Sequence, residues 1–279
     1  MLDKKVKVKE TRDLGARNYL LTLSSPEQAR LARPGQFVML KCVEDIDEVP
    51  LLRRPFSIFN IYRHARSGRP AGLEVLVKDV GLGTRKLARL RAGQTIFCLG
   101  PQGRCFQVSA ETRNRIGVAC LVAGGVGIAP LFLLARSLME QNVKPVLFYG
   151  GYSAADLVLR EYFESLEIDT FYTTEDGSCG ERGLVTYPLA QFLRSRPRKD
   201  IRIYACGPWE MMRAVHELSA KHEVPCEVSL EARMGCSLGA CMGCVIRGWD
   251  HKGDEQYFRV CQDGPVVSSR LVDWETCPL

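Results

Sequence analysis

The sequence predicts a chain of three parts: an all-β domain, a parallel α/β domain and a small cysteine-rich domain. Three observations carry that division. Residues 1–108 hold six short β-prone runs parted by Gly and Pro. Residues 109–224 alternate buried strands with helical stretches, the pattern of a parallel sheet. Residues 225–279 turn short, Gly-rich and Cys-rich. A length of 279 residues accommodates two or three such units.

The elements follow in order. Residues 6–9 alternate apolar and polar, and 19–23 read Tyr-Leu-Leu-Thr-Leu. Residues 36–41 follow the Pro34-Gly35 turn, 57–62 and 73–78 continue the pattern, and 95–99 end at Gly100-Pro101. Six such strands predict an antiparallel barrel or sandwich. The polar stretch 63–72, with Gly68, Pro70 and Gly72, reads as a surface loop. Beyond it, strands are expected at 116–122, 145–149, 169–173 and 201–205, with helices at 131–140, 157–166, 189–194 and 210–222.

Composition narrows the function class. Hydrophobic residues make up 46% and charged residues 25%, which excludes a wholly disordered or collagen-like chain. No run of 18 apolar residues suggests a membrane span, and the first residues lack the apolar core of a secretory signal. A cytoplasmic protein is therefore expected, and its twelve cysteines read as reduced thiols, metal ligands or small buried hydrophobes. The net charge of +6 divides as +10 over residues 1–108, −1 over 109–224 and −3 over 225–279. Scattered arginines without aromatic platforms argue against nucleic acid as the partner, and an anionic cofactor suits the basic first third better.

Three motifs carry chemistry. Cys236, Cys241 and Cys244 follow C-x4-C-x2-C, with Cys261 further on, the spacing of a plant-type [2Fe–2S] site. Small residues between them let the backbone wrap a compact cluster. Structural zinc, which favours paired C-x2-C knuckles, and plain core cysteines are the competing readings. The second motif is Val122-Ala-Gly124-Gly125-Val-Gly127-Ile-Ala-Pro130, a strand, glycine loop and helix start suited to a pyrophosphate, or else a tight turn with no ligand. No Arg directly follows the next strand, at Tyr149-Gly-Gly-Tyr-Ser153, which favours NAD(H) over NADP(H). The third motif is Arg54-Pro55-Phe56-Ser57 after Arg53, paired with Gly81-Leu-Gly83-Thr84 at a helix start. Here an Arg can grip a phosphate and an aromatic can stack on a flat ring, although each residue alone also reads as turn or core. Cys206-Gly-Pro208 ends a strand at the edge where α/β sheets bind ligands, or is a Gly-Pro turn beside a buried thiol.

In this order the motifs resemble the ferredoxin–NADP reductase superfamily, and within it the electron-transfer subunits of type B dihydroorotate dehydrogenase. The likeness spans nearly the whole chain. It implies an N-terminal antiparallel β-barrel as flavin domain (1–108), a central parallel α/β NAD-binding domain (109–224) and a small C-terminal [2Fe–2S] domain (225–279). It implies FAD on Arg54, Pro55, Phe56 and Ser57, on Leu76, Val77 and Lys78, and on Gly83 and Thr84. It implies the nicotinamide nucleotide on Gly124, Gly125, Gly127 and Pro130, with Cys206 beside the nicotinamide as the catalytic residue. The stretch from Ser229 to Cys236, with Val260-Cys-Gln-Asp-Gly-Pro265, is the most subfamily-specific part and implies cluster ligation by Cys236, Cys241, Cys244 and Cys261. Phe56 stands where many members carry Tyr.

The cofactor set orders itself. Nicotinamide exchanges two electrons as hydride, a [2Fe–2S] cluster exchanges one, and a flavin handles both, so FAD belongs between them. The resemblance supplies the ends: an FMN-containing dihydroorotate dehydrogenase catalytic subunit, two of each chain in a heterotetramer, delivering electrons to NAD+ in pyrimidine biosynthesis. The alternatives are the equivalent subunit of a sulfite reductase, a hydrogenase or a bifurcating ferredoxin:NADP oxidoreductase, and a non-redox zinc protein. The chain's own residues offer no nucleophile-and-base constellation for an organic substrate. His64, His216, His222 and His251 lie at unrelated positions and read as solvent-facing or satisfied polar groups. Cys42, Cys98, Cys105, Cys120, Cys179, Cys226 and Cys277 read as small hydrophobes.

Overall fold

The structure is a computed structural model that describes residues 2–42, 49–108, 117–196 and 200–276. Cys277 and the segment 109–116, which holds Ile116 and the expected first domain boundary, lie outside the described residues. Strands β1 (Leu2–Gly15), β2 (Asn18–Ser24), β3 (Phe37–Leu40), β4 (Arg54–Arg63), β5 (Pro70–Lys78) and β6 (Thr95–Gln102) close into a barrel in the order β1-β2-β5-β4-β3-β6. Every neighbouring pair is antiparallel. Closure removes both sheet edges, so the all-β domain is a barrel and not a sandwich. Its interior packs Val8, Leu21, Leu23, Ile58, Leu73 and Val75.

One barrel element is absent from the sequence reading. Helix α1 (Pro26–Leu31) starts with proline in its first turn, where the missing N–H costs nothing. Its Gln28 is fully buried and donates from Nε2 to the carbonyls of Cys98 and Gly100, both at 3.0 Å. A buried amide is stable only when paired, so this glutamine fixes α1 across the end of β6. Helix α2 (Leu82–Ala88) follows β5 at the Gly-Leu-Gly-Thr motif.

The second layer is a seven-stranded sheet. Strands β7 (Val118–Gly124), β8 (Pro145–Gly151), β9 (Asp169–Thr174), β10 (Glu181–Arg182), β11 (Ile201–Cys206), β12 (Cys226–Ser229) and β15 (Val266–Ser268) run in the order β10-β9-β8-β7-β11-β12-β15. All are parallel except β15. Helices α3 (Ala129–Met139), α4 (Arg160–Glu164), α5 (Thr186–Arg194) and α6 (Trp209–Lys221) cover it. The chain steps outward from β7 to β10 and then returns to lay β11 on the other side of β7. A crevice opens at such a reversal, beyond the C-terminal ends of β7 and β11.

Two differences from the sequence reading have local causes. The helix expected at 157–166 shrinks to α4, because Leu159 adopts φ +60° and breaks it. The preceding turn is held by Asp156 Oδ2, which accepts the Ser153 N–H at 3.0 Å and the Ser153 hydroxyl at 3.2 Å. The sheet also continues past residue 224, since β12 and β15 are strands of the last segment. Between them, β13 (Val245–Trp249) and β14 (Glu255–Arg259) form an antiparallel hairpin that fills the reach from Cys244 to Cys261.

The parts pack closely. Phe59 of β4 stacks on Phe132 of α3 at 4.7 Å and meets Tyr162 of α4 edge-on at 5.0 Å. Gln102 Nε2 donates to the Ser237 carbonyl at 3.3 Å, joining the barrel to the cysteine loop. Trp209 of α6 donates its indole N–H to the Trp274 carbonyl at 3.2 Å. No helix among the described residues is long and apolar enough to cross a membrane.

Candidate functional site

The crevice edge is built by close backbone contact. Gly124 and Gly127 leave β7 against Cys206, Gly207 and Pro208 at the end of β11. A Cβ at Gly127 would overlap the Cys206 carbonyl, and one at Gly124 would stand 2.7 Å from Pro208 Cδ. Gly125, in contrast, faces open space with φ +51°, a conformation that glycine adopts without strain. Pro130 falls in the first turn of α3. The loop is braced from below by a fully buried Tyr149, whose hydroxyl lies 3.0 Å from the carbonyls of Gly125 and Asp156 and 3.1 Å from that of Val158. Burial pushes its phenol well above the ordinary range, so it stays a neutral donor. The sequence pattern marks Tyr149 only as a strand residue; its bracing role depends on contacts from the earlier glycine loop and from the later turn at 156–158.

Cys206 is buried at this edge, and burial, then the nearby Glu231 carboxylate, raise its thiol far above the usual range. Burial therefore disfavours its thiolate form. Glu231 remains solvent-accessible yet hemmed in by protein atoms, and that desolvation raises its own carboxyl. The sequence reading includes Glu231 in the Ser229–Cys236 stretch but gives it no role; only the pairing of β11 with β12, which sets Ala205 beside Val228, brings it near Cys206.

On the barrel, Arg53 and Arg54 separate in role. Arg53 is bidentate to Asp3, with both bonds at 2.8 Å. Arg54 forms no ion pair among the described residues; its Nη1 donates to the Leu52 carbonyl at 2.8 Å and the Arg53 carbonyl at 3.3 Å. Gly83 stands directly beside it: a Cβ there would be 3.5 Å from Arg54 Nε and 3.1 Å from Cys42 Sγ. The structure thus brings together the two motif halves that the sequence leaves 29 residues apart. The Thr84 hydroxyl accepts the N–H groups of Val80 at 2.9 Å and Gly81 at 3.0 Å, so it holds the loop. Phe56 is buried with the barrel interior, whereas Pro55 and Ser57 alternate onto the other face of β4. On β5, Val77 points into the barrel and Leu76 packs with the α/β core, while Lys78 Nζ lies 4.0 Å from Asp156 across the gap.

The four cysteines converge as pairs. Cys236 Sγ accepts the N–H of Leu238 at 3.3 Å and of Cys241 at 3.4 Å. Those N–H groups, Leu238 first, pull its thiol down to about 6. Cys244 and Cys261 are buried and interact through their thiols; burial first, then Cys244, lifts Cys261 to about 12. Cys241 is exposed. Its sulfur would lie 3.3 Å from a Cβ at Gly235, a tight approach, and 3.6 Å from one at Gly243, an ordinary contact. No three of these side chains stand in ready metal geometry among the described residues. The donor set still fits an iron–sulfur cluster: four free thiols on a glycine-lined loop, with backbone N–H groups already directed at sulfur. Cys42, Cys98, Cys120 and Cys226 are buried as small hydrophobes, with Cys98, Cys120 and Cys226 raised to about 12, whereas Cys105 and Cys179 are half-exposed and Cys179 Sγ accepts from Arg160 at 3.2 Å.

Comparison with known proteins decides the family. Residues 231–273 match the iron–sulfur cluster binding domain of dihydroorotate dehydrogenase B, and residues 121–217 match an oxidoreductase NAD-binding domain. The electron transfer subunit of dihydroorotate dehydrogenase B (NAD+) from Desulforamulus reducens is 36% identical over 92% of this chain and 93% of its own length. That of Lysinibacillus sphaericus is 36% identical over 96% of this chain and 97% of its own. The chain belongs to the family of dihydroorotate dehydrogenase B electron-transfer subunits. Among solved structures, an NADH-dependent reduced ferredoxin–NADP oxidoreductase studied for flavin-based electron bifurcation superposes with a TM-score of 0.80 at 28% identity, covering 97% of this chain and 90% of that one. Phthalate dioxygenase reductase shares the fold, with a TM-score of 0.61 at 16% identity over 93% of this chain and 77% of its own.

Proposed function

We propose that this chain passes electrons from an FMN-containing dihydroorotate dehydrogenase catalytic subunit, through a [2Fe–2S] cluster and FAD, to NAD+. The observation that carries the reading is the juxtaposition of three sites in one packed unit: the cysteine loop tied to β6 by Gln102, the Arg54–Gly83 corner of the barrel, and the glycine crevice of the sheet. A flavin supplies the exchange between single electrons and hydride.

The chain's own residues then divide the work. Cys236, Cys241, Cys244 and Cys261 hold the cluster, and the N–H groups of Leu238 and Cys241 stabilise thiolate at Cys236. Arg54 grips the FAD pyrophosphate beside Gly83, while Thr84 keeps that loop in shape. Pro55 and Ser57, with Leu76 and Lys78, form the flavin wall of the barrel, while Phe56 and Val77 pack inside it and offer the flavin only their backbone. Gly124, Gly125, Gly127 and Pro130 seat the NAD(H) pyrophosphate at the start of α3, a helix terminus that favours anions. Cys206, neutral and buried, shapes the nicotinamide end. The turn after β8 carries the Asp156 carboxylate and no arginine, which supports NAD(H) over NADP(H).

We assign residues 1–108 to FAD, 109–224 to NAD and 225–279 to the cluster as functional units. Packing cuts across the second boundary because β12 and β15 complete the sheet. A heterotetramer with two copies of each chain and a cytoplasmic setting belong to the same proposal; eleven free cysteines among the described residues support a reducing compartment. A second reading rests on the bifurcating relative at TM-score 0.80, in which the same module serves a different partner. The direct test is the visible spectrum and metal content of the purified chain. Flavin and iron–sulfur absorbance with two irons per chain is expected; zinc without iron, or no flavin, would overturn the reading.

A further inference from the structure

A basic groove lies away from every site described above. It is a cavity of about 270 Å³ between α1, the outer end of β4 and the C-terminal half of α3. Arg30, Arg33, Arg63 and Arg136 line it, against the single carboxylate of Glu140, over an apolar floor that includes Ile61 and Leu133. None of the four arginines forms an ion pair among the described residues.

Their remaining contacts leave donors free. Arg33 Nη1 donates to the Ala32 carbonyl at 3.2 Å, and Arg63 Nη1 to the Gly68 carbonyl at 3.1 Å. Arg30 has no hydrogen-bond partner among the described residues. Arg136 is oriented by a polar relay: its Nη1 donates to Asn60 Oδ1 at 2.7 Å, and Asn60 Nδ2 donates to Glu74 Oε2 at 2.8 Å. The Thr22 hydroxyl completes the relay at Glu74 Oε1, 3.2 Å away. A guanidinium carries five N–H donors, so four of those on Arg136 stay available.

The groove is distinct from the flavin corner. Arg54 and Arg63 are the first and last residues of β4, roughly 30 Å apart at strand rise. Along α3 the glycine crevice meets the N-terminal turn at Pro130, whereas Arg136 stands six residues on, about 9 Å of helix rise away.

We propose that this groove binds a compact phosphorylated small molecule. One planar carboxylate is satisfied by one guanidinium fork, whereas a phosphate presents oxygens in several directions and takes several forks. Here guanidiniums converge from α1, the loop after it, β4 and α3. The apolar floor takes the body of the ligand, and the volume sits at the small end of ligand pockets. Because the walls come from both the barrel and the α/β domain, an occupant ties the two together.

The test uses the full chain loaded with FAD and cluster, held in saturating NAD+ at fixed ionic strength. Inorganic pyrophosphate and a ten-residue oligoglutamate are titrated by calorimetry. Pyrophosphate should bind saturably at one site per chain. Affinity should fall at least tenfold in Arg63→Gln and in Arg136→Gln and stay unchanged in the surface control Lys144→Gln, with flavin spectra unaltered throughout. Four results would overturn the proposal: no saturable binding under NAD+, equal weakening in Lys144→Gln, no weakening in the two arginine variants, or binding of oligoglutamate but not pyrophosphate, which would make the groove a seat for an acidic protein segment.

Discussion

At the scale of single residues, neighbours that look equivalent in sequence do different jobs. Arg53 pairs with Asp3 in a half-exposed ion pair, whereas Arg54 forms no ion pair among the described residues. Arg54→Ala should therefore cost FAD affinity about 1.5–3 kcal/mol, the range of a charge-assisted hydrogen bond, and Arg53→Ala no more than about 1 kcal/mol of stability. Flavin retention on dialysis and thermal unfolding of the two variants separate these outcomes. The cysteines divide in the same way. In cluster-free protein, Cys236 is thiolate above about 6, so its alkylation should rise through that pH and plateau above it. Cys261, raised to about 12, should remain unreactive across the neutral range. Mass-spectrometric mapping of iodoacetamide labelling against pH reads both; similar profiles for the two would contradict the assigned environments.

At the scale of elements, the loops matter through backbone proximity. Gly127→Ala forces a methyl into the Cys206 carbonyl and should cost about 1–3 kcal/mol of stability together with a large loss of NADH affinity. Gly125→Ala meets nothing in the protein, so it should cost only about 1 kcal/mol from its left-handed backbone; a loss of NADH affinity beyond that reports the dinucleotide itself. Thermal melts and fluorescence titration of NADH distinguish the two. Much of this was legible in advance: six barrel strands, the β7 and β11 edges and the cysteine spacing all follow from periodicity and glycine placement. Other elements were not, because their causes are tertiary. Helix α1 is held by Gln28 reaching the carbonyls of β6, and the helix expected at 157–166 is cut short by a left-handed Leu159. The four residues of β12, Cys-Glu-Val-Ser, read the same whether the strand ends a domain or joins a sheet. The convergence of Arg54 with Gly83, and of Glu231 with Cys206, required strand pairing that no local pattern encodes.

At the scale of the whole molecule, the account is a linear path whose two ends can be cut separately. The cysteine loop is joined to the barrel through Gln102 and Ser237, while the barrel meets the nucleotide domain through Phe59 and Phe132. Phe59→Ala should destabilise the chain by about 3–5 kcal/mol, seen as a lowered urea midpoint, because it removes a fully buried ring from that junction. Cys241→Ser should stop electron exchange with the partner subunit yet leave reduction of the flavin by NADH largely intact, since the nucleotide and flavin sites do not use that thiol. Stopped-flow flavin absorbance tests the second half of that statement, and its loss would refute the separation of the two ends. The most direct measurement is reconstitution: the loaded chain is mixed with an FMN-containing dihydroorotate dehydrogenase subunit, and NADH formation is followed on adding dihydroorotate and NAD+. The account predicts one NADH per orotate, abolished by Cys241→Ser. A catalytic subunit that oxidises dihydroorotate with an artificial acceptor, yet yields no NADH in the presence of this chain, would contradict it.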